Sequence, residues 1–232
     1  MKNLYESLLD NEEALVNSTD NYLHIKEFLK ENYFIKDNGK FTVHNNIVDI
    51  DGSIVLTGDI SYLTDNTFKF GIIKGDFDLE GGANENLKSL KGGPKEVKGD
   101  FICNELPKLT SLKYCPEKID GCFDCCDCDK IKNLKGIPLK IGGDVRIELD
   151  ITTLEGGPKD VGGSYNIYFC DKLDLVENLK FLPNSIGQSL FLPKYNTKDK
   201  NEVISYLLNN VKVGRDVYID RKKKKLDKYK LD

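Results

Sequence analysis

Four cysteines lie within one stretch of seven residues and are the most concentrated potential metal ligands of the chain. They are Cys122, Cys125, Cys126 and Cys128, and their thiolates could hold zinc. Successive side chains of a strand point to opposite faces, so Cys122 and Cys125 would face apart if this stretch is a strand. A second cysteine pair at matching spacing does not accompany them. We therefore favour packing as small apolar side chains and predict no metal site.

A series of aspartates provides the second chemical signal. Asp76, Asp78, Asp100, Asp124 and Asp144 recur at similar places in successive segments of the sequence. If they stack on one face, their like charges repel, and a basic partner or a cation held by oxygen ligands would compensate them. Gly-Asp pairs are also typical of turns, and a solvated acidic face is the plainer interpretation. The sequence leaves both interpretations open.

Catalytic chemistry has little support in this sequence. His24 and His44 are the only histidines, and each lies in a different predicted element. The sequence contains no nucleophile elbow, phosphate loop or metalloprotease motif. Acidic pairs such as Asp76 and Asp78 could serve a hydrolase, but the chain has many carboxylates and nothing in the sequence distinguishes this pair from the others. We therefore predict a protein that is not an enzyme, with no catalytic residues and no cofactor.

The elements that would position these residues come from an internal repeat. Pro94, Pro116, Pro138, Pro158 and Pro183 mark five units, with apolar residues four and seven places before each proline and three, seven and nine places after it. The residues seven places after the prolines are Phe101, Phe123, Val145, Tyr165 and Leu190. Glycine stands five places after each of the first four prolines, which suits a tight bend or a close approach of two backbones.

The repeat predicts a solenoid. Period-two alternation after each proline is typical of a short strand with one buried face. A unit this small cannot bury its apolar residues alone, whereas stacked neighbours can. Partial units around Ile54, Phe77 and Val217 extend the frame on both sides. We therefore predict about eight rungs of stacked short parallel β-strands.

The repeat resembles the short leucine-rich-repeat-like proteins of bacteria and large tailed phages. Their units follow the pattern L-x-S-L-x-G-x-P-x-x-V-x-G-x-F-x-C, which residues 87–103 and 109–125 match closely. The resemblance covers roughly residues 47–220. It implies a leucine-rich-repeat-like solenoid and a habit of binding other proteins, and it implies no reaction.

The predicted organisation has three parts. Residues 1–33 form a helical leader and cap, with Ser18, Thr19 or Asp20 as candidate N-caps of a helix that closes the first rung or docks a partner. Residues 34–220 form the solenoid, with a hairpin or irregular rungs near Phe41. A helix inserted between Thr197 and Val211 precedes the last rung, with Thr197 or Asp199 as its cap. Its apolar face would carry Val203, Ile204, Leu207 and Leu208. Residues 221–232 form a basic tail.

The outward strand positions define a candidate binding face. Its residues are Asp76, Asp78, Asp100, Asp124, Asp144, Arg146, Asn166, Phe191 and Tyr218. A protein partner is the most natural ligand for such a face.

The net charge of −4 hides an uneven distribution. Residues 221–232 carry seven basic and two acidic side chains, or +5, which leaves −9 for the rest. The tail could contact phosphate, but an acidic body argues against a nucleic-acid reader, and a charged end is more often a solvated tail or a guard against edge pairing. The acids near Met1 and the absence of a long apolar run predict a cytoplasmic protein without a membrane segment.

We therefore predict a non-enzymatic, protein-binding repeat scaffold of unknown ligand. Two alternatives come from other classes of protein. One is a phage structural or virion-associated component that attaches through residues 1–33. The other is a metal-binding or hydrolytic protein that uses the cysteines between Cys122 and Cys128 or the aspartates.

Overall fold

The computed structural model describes residues 12–36, 39–80, 84–194, 200–219 and 222–224. Most of this chain forms two sheets of short strands, joined by tight corners and irregular turns. In chain order, the helices and strands are α1 (Glu12–Asn32), β1 (Tyr33–Ile35), β2 (Lys40–His44), β3 (Ile47–Asp51), β4 (Ile54–Leu56), β5 (Lys69–Ile73), β6 (Phe77–Asp78), β7 (Glu96–Val97), β8 (Phe101–Ile102), β9 (Lys118–Ile119), β10 (Phe123–Cys126), β11 (Lys140–Ile141), β12 (Val145–Glu148), β13 (Asp160–Val161), β14 (Tyr165–Asn166), α2 (Leu175–Asn178), β15 (Ser185–Ile186), β16 (Leu190–Leu192), α3 (Lys200–Asn210), β17 (Lys212–Val213), β18 (Val217–Ile219) and β19 (Lys222–Lys224).

The strands alternate between the two sheets along the chain. Within the described residues, sheet A has the order β1-β4-β6-β8-β10-β12-β14-β16-β18-β19, and sheet B has the order β17-β15-β13-β11-β9-β7-β5-β3-β2. Strands from β3 to β18 pair in parallel with the equivalent strands of neighbouring rungs. Antiparallel strands lie at three sheet edges: β1 and β19 on sheet A, and β2 on sheet B. The protein is therefore a β-solenoid of stacked rungs, as the repeat predicts.

Each repeat contains two strands rather than one, which corrects the sequence-based interpretation. Val97 ends a strand of sheet B, Phe101 begins a strand of sheet A, and Gly99 and Asp100 form the corner between them. The backbone N–H of Gly99 donates to the Gly75 carbonyl of the previous rung at 3.0 Å. The chain turns here while both Val97 and Phe101 still point into the core, so the period-two pattern continues through the corner.

The core is a set of files in which equivalent residues of successive rungs lie on top of one another. Phe77 pairs with Phe101, Phe101 with Phe123, and Phe123 with Val145. The rings of Phe77, Phe101 and Phe123 stack with centroid separations of 5.9 and 6.0 Å, and all three are essentially buried. Tyr165 continues the file. The predicted alignment of these residues is confirmed.

The third side of each rung is an irregular turn that carries the leucines. Leu87, Leu90, Leu109 and Leu112 are each at most 1% exposed. Short local hydrogen bonds shape these turns, such as the one from the Cys115 N–H to the Leu112 carbonyl at 3.0 Å. These leucines close the core between the two sheets without a continuous strand ladder, although single bonds connect some rungs, such as the one from the Lys88 N–H to the Ser61 carbonyl at 3.1 Å.

The helix α1 covers the first rung. Its Ile25 and Leu29, four residues apart, are buried, and Phe28 meets the Phe68 ring edge to face. The helix spans Glu12–Asn32 and runs through the candidate caps at residues 18–20, so the predicted boundary is wrong. The good helix formers between Glu12 and Leu15 extend the helix beyond those polar residues. Residues 1–11 of the predicted leader lie outside the described residues.

The hairpin predicted near Phe41 is formed by β2 and β3. Asn45 and Asn46 connect its strands with φ values of 51° and 60°, as a two-residue turn of this twist requires. Its strand β3 continues sheet B beside β5.

The inserted helix α3 precedes the last rung and buries Val203, Ile204 and Leu207. Leu208, predicted on the same face, is 42% exposed, because the 100° step from Leu207 carries it off the buried stripe. The candidate caps of this helix, Thr197 and Asp199, lie outside the described residues. No described helix is both long and apolar enough to cross a membrane.

Candidate interaction face of sheet A

The outer face of sheet A carries a continuous file of side chains. Pairing of successive strands aligns one residue from each rung, and the file reads Val55, Asp78, Ile102, Asp124, Arg146, Asn166, Phe191 and Tyr218. The sequence predicts that these positions point outward from the strands. Six of the nine candidate residues therefore lie in one line across the solenoid.

The other three candidates, Asp76, Asp100 and Asp144, lie at the corner between the sheets. Asp76 Oδ1 accepts the backbone N–H of Asp100 at 2.9 Å, and Asp100 Oδ1 accepts that of Cys122 at 2.7 Å. Asp144 Oδ1 accepts the N–H of Ser164 at 2.6 Å. Each carboxylate thus satisfies a backbone donor of the next rung, where the sheet ladder is interrupted.

The five aspartates therefore do not form one stack on one face. Asp78 and Asp124 lie on the strand file, where Ile102 separates them. The corner acceptors also include side chains other than aspartate, because the Cys122 Sγ accepts the N–H of Asp144 at 3.3 Å and the Ser53 Oγ accepts that of Asp76 at 2.9 Å. The interpretation of the Gly-Asp pairs as turn chemistry describes the corner residues correctly.

The glycine file leaves room for this corner ladder. A Cβ on Gly99 would lie 2.1 Å from Asp76 Oδ1, and one on Gly163 would lie 2.0 Å from Asp144 Oδ1. Because a real Cβ is not found so close to another heavy atom, only glycine admits the carboxylate of the preceding rung. The glycine of one rung is thus required so that the aspartate of the preceding rung can accept a backbone N–H at the corner.

The earlier rungs of the outer face are acidic. Besides Asp78 and Asp124, this face carries the carboxylates of Glu80, two residues after Asp78, and Glu148, two residues after Arg146. The sequence-based prediction of the face did not include these two glutamates. The opposing charge comes from Arg146, which lies 3.6 Å from an Asp124 oxygen and 3.4 Å from a Glu148 oxygen. Lys36 approaches Asp78 at 3.9 Å. These ion pairs are solvent-exposed and contribute little stability, so the carboxylates are accessible to another cation.

The last rungs of the same face are aromatic. The rings of Phe191 and Tyr218 stack with centroids 4.7 Å apart, and both residues are half-buried. The antiparallel strand β19 places Lys223 beside Tyr218 at the edge of the sheet. The side chains of this face therefore change from acidic in the earlier rungs to aromatic in the last ones.

The cysteines are mainly core residues, and the Cys125 thiol contacts those of Cys103 and Cys128. All seven are free, and each except Cys122 is buried. No group of three or more metal-ligating side chains with suitable geometry occurs among the described residues. Burial raises the pKa of the Cys103 thiol to about 11 and that of Cys170 to about 11. Thiols of this kind are held protonated, which suits packing in an apolar interior.

Thiol labelling is expected to separate Cys122 from the other six. Only Cys122 is partly exposed, and burial raises its pKa above the usual value as well. A native sample treated with a disulfide reagent such as DTNB at pH 8 should therefore lose one thiol, more slowly than a free cysteine, and the rate should rise with pH. In Cys122→Ser, which keeps an oxygen acceptor for the Asp144 N–H, this phase should vanish. Fast reaction of two or more native thiols would contradict the described packing.

The two histidines are not part of a common site. His24 lies on α1 and contacts the carboxylate of Asp65, whereas His44 ends β2. Neither is brought to the aspartates of the corner or of the outer face by any contact that the structure shows.

The fold and the face together define a two-sheet parallel β-solenoid with an acidic-to-aromatic outer strip. No protein-family model, curated protein or solved structure matches the chain.

Proposed function

We propose that this protein is a non-enzymatic scaffold that binds a basic, extended protein segment across the outer face of sheet A. The observation that supports this proposal is the in-register outward file, which places the partly exposed carboxylates of Asp78 and Asp124 two rungs apart on one face of the sheet. Stacked strands are about 4.8 Å apart, so the rungs from Asp78 to Arg146 span about 14 Å. That length matches a short extended segment that lies perpendicular to the strands.

Charge complementarity supports a basic partner. Four carboxylates, those of Asp78, Glu80, Asp124 and Glu148, share the strip with one guanidinium on the same strands. The stacked rings of Phe191 and Tyr218 at the far end offer a flat surface for an apolar or guanidinium group of the same partner. Such a face would attract lysine- or arginine-rich segments and repel acidic ones. This charge complementarity contributes more to the specificity of binding than to its affinity.

A neutralised face tests the proposal. The variant Asp78→Asn, Glu80→Gln, Asp124→Asn and Glu148→Gln removes four charges and keeps the hydrogen-bond acceptors, including the bond from the Glu80 N–H to Asp78 at 2.9 Å. Binding of a labelled 12-residue peptide of alternating lysine and serine, followed by fluorescence anisotropy, should weaken at least about tenfold at low salt. A peptide of alternating glutamate and serine should not bind.

The matched control removes four carboxylates elsewhere. Asp129→Asn, Asp160→Asn, Asp171→Asn and Glu177→Gln alter exposed residues away from the outer face of sheet A. This variant should retain affinity within about twofold, because long-range charge alone is screened at moderate salt. Equal losses of peptide affinity in both variants would show that the peptide responds only to the overall negative charge. Unchanged affinity in the neutralised-face variant would exclude the outer face of sheet A as the binding site. The corner residues Asp100 and Asp144 are unsuitable for this test, since charge reversal would remove backbone acceptors and unfold the rungs.

A further inference from the structure

An open hollow of about 630 Å³ lies at the beginning of three strands of sheet B and shares no residue with the outer face of sheet A. The turns at residues 91–95 and 114–117 lead into β7 and β9 and form two of its walls, and the start of β5 forms a third. Its volume lies in the range of small-molecule sites, which are mostly apolar with a few placed polar groups.

A local break in the repeat creates this hollow. Phe70 stands where the next rung has Pro94, because Ile73 pairs with Val97 and each lies three residues further on. The N–H of Phe70 donates to the Gly92 carbonyl at 2.9 Å, a bond that proline could not make. The turn before β5 therefore has a different shape from the turns that follow, and the stack is incomplete at this point.

The interior of the hollow is apolar and preformed. Phe68, Phe70 and Cys115 lie at its base and are at most 8% exposed. Tyr114 stands at the side, 49% exposed, on a backbone with φ of 71°, and the Lys113 ammonium lies 5.0 Å from its ring centroid. A ring held in this way offers a flat wall for a planar ligand.

The rim of the hollow is basic. Lys69, Lys91 and Lys95 line it, and the one carboxylate among the lining residues is that of Glu117, 4.0 Å from Lys95. Lys69 and Lys91 form no ion pair within the described part of the chain. By contrast, Lys98 and Lys118 on the adjacent outer face of sheet B are each paired with Glu96 and Asp120. Two ammonium groups without an ion pair in the described structure, those of Lys69 and Lys91, therefore line the hollow.

We propose that this hollow binds a small organic anion with a flat apolar body. The ring system of the ligand lies against Tyr114 and the buried phenylalanines, and its carboxylate, sulfonate or phosphate meets the ammonium groups of Lys69 and Lys91. The proposal is independent of protein binding at sheet A, since the two surfaces share no residue.

Two probes of the same shape test the proposal. 8-Anilino-1-naphthalenesulfonate carries an anion on a naphthyl body, and N-phenyl-1-naphthylamine has that body without the charge. The sulfonate should bind saturably to one site, followed by its fluorescence. In Lys69→Gln with Lys91→Gln its Kd should rise at least about fivefold, as expected for two partly exposed charge contacts, while the Kd of the neutral probe changes less than about twofold. Tyr114→Asn, which tolerates the positive φ, should weaken both probes.

The control variant is Lys130→Gln with Lys140→Gln, which removes two exposed lysines outside the hollow. It should bind both probes as the parent protein does. The proposal is overturned if the sulfonate shows no saturable binding, if the control loses as much affinity as the rim variant, or if the neutral probe follows the sulfonate in the rim variant. Urea unfolding of each variant shows that any loss of binding comes from a folded protein.

Discussion

Replacement of Phe101 by alanine is expected to lower the free energy of unfolding by about 3–5 kcal/mol. The ring is 1% exposed and lies between Phe77 and Phe123, so its removal leaves a cavity that the neighbouring rungs cannot fill without loss of register. That cost is a large fraction of the stability of a typical domain, about 5–15 kcal/mol. Urea denaturation followed by circular dichroism would measure it. The matched control is Ile102→Ala on the outer face, which should cost about 1 kcal/mol or less.

Double substitutions make this prediction specific to a stack. Phe101→Ala and Phe123→Ala remove adjacent rings and should be non-additive, because both variants open the same cavity. Phe101→Ala and Leu190→Ala lie four rungs apart, about 19 Å, and should be additive within about 0.5 kcal/mol. Equal coupling for the two pairs would contradict an arrangement in which each rung contacts only its neighbours.

Gly162→Ala is expected to destabilise the later rungs by about 1–3 kcal/mol. A Cβ at this position would lie 2.0 Å from the carbonyl oxygen of Gly142 in the preceding rung, and a backbone atom cannot move aside as a side chain can. The glycine is thus required by the close approach of two rungs. The measurement is again the free energy of unfolding by urea.

The chain contains its own control for this prediction. Asp120 occupies the equivalent position two rungs earlier, since Ile119 pairs with Ile141 and Ile141 with Val161. It already carries a Cβ, so Asp120→Ala should lose only the exposed ion pairs with Lys98 and Lys118 and cost no more than about 1 kcal/mol. If Gly162→Ala were as stable as Asp120→Ala, the close packing of the later corners would be wrong.

The buried files could be predicted from the sequence because they depend on a simple rule. A residue whose side chain points inward in one rung lies above the equivalent residue of the next, so spacing alone aligns Phe101, Phe123 and Val145. The same rule places Asp124 and Arg146 on the outer face. The resemblance to leucine-rich-repeat-like proteins predicts a solenoid, and membership of that class stays a prediction.

The corner within each repeat could not be predicted in the same way. A straight strand and a chain bent at Gly99 and Asp100 give the same alternation, because Val97 and Phe101 point inward in both. The distinction depends on Asp76 of another rung, which accepts the Asp100 N–H across 24 residues of sequence. A pattern read along one segment contains no information about such a partner.

The hollow at sheet B could not be predicted from the sequence either, because the repeat pattern does not show where neighbouring turns leave space between them. One signal could have indicated it: Phe70 replaces the proline of the repeat, with Lys69 beside it and Lys91 and Lys95 around Pro94 of the next unit. The volume of the hollow and the position of its unpaired lysines depend on how the turns at residues 91–95 and 114–117 lie together in the fold.

The most direct test of the stacked solenoid is a set of distances between phenylalanine rings in solution. With labelled phenylalanine and single substitutions for assignment, nuclear Overhauser effects should connect Phe77 with Phe101 and Phe101 with Phe123, whose centroids are 5.9 and 6.0 Å apart. No effect should connect Phe77 with Phe123, because a whole rung lies between them. A direct contact between Phe77 and Phe123, or the absence of both neighbouring contacts, would contradict the stacked arrangement on which the two proposed binding surfaces depend.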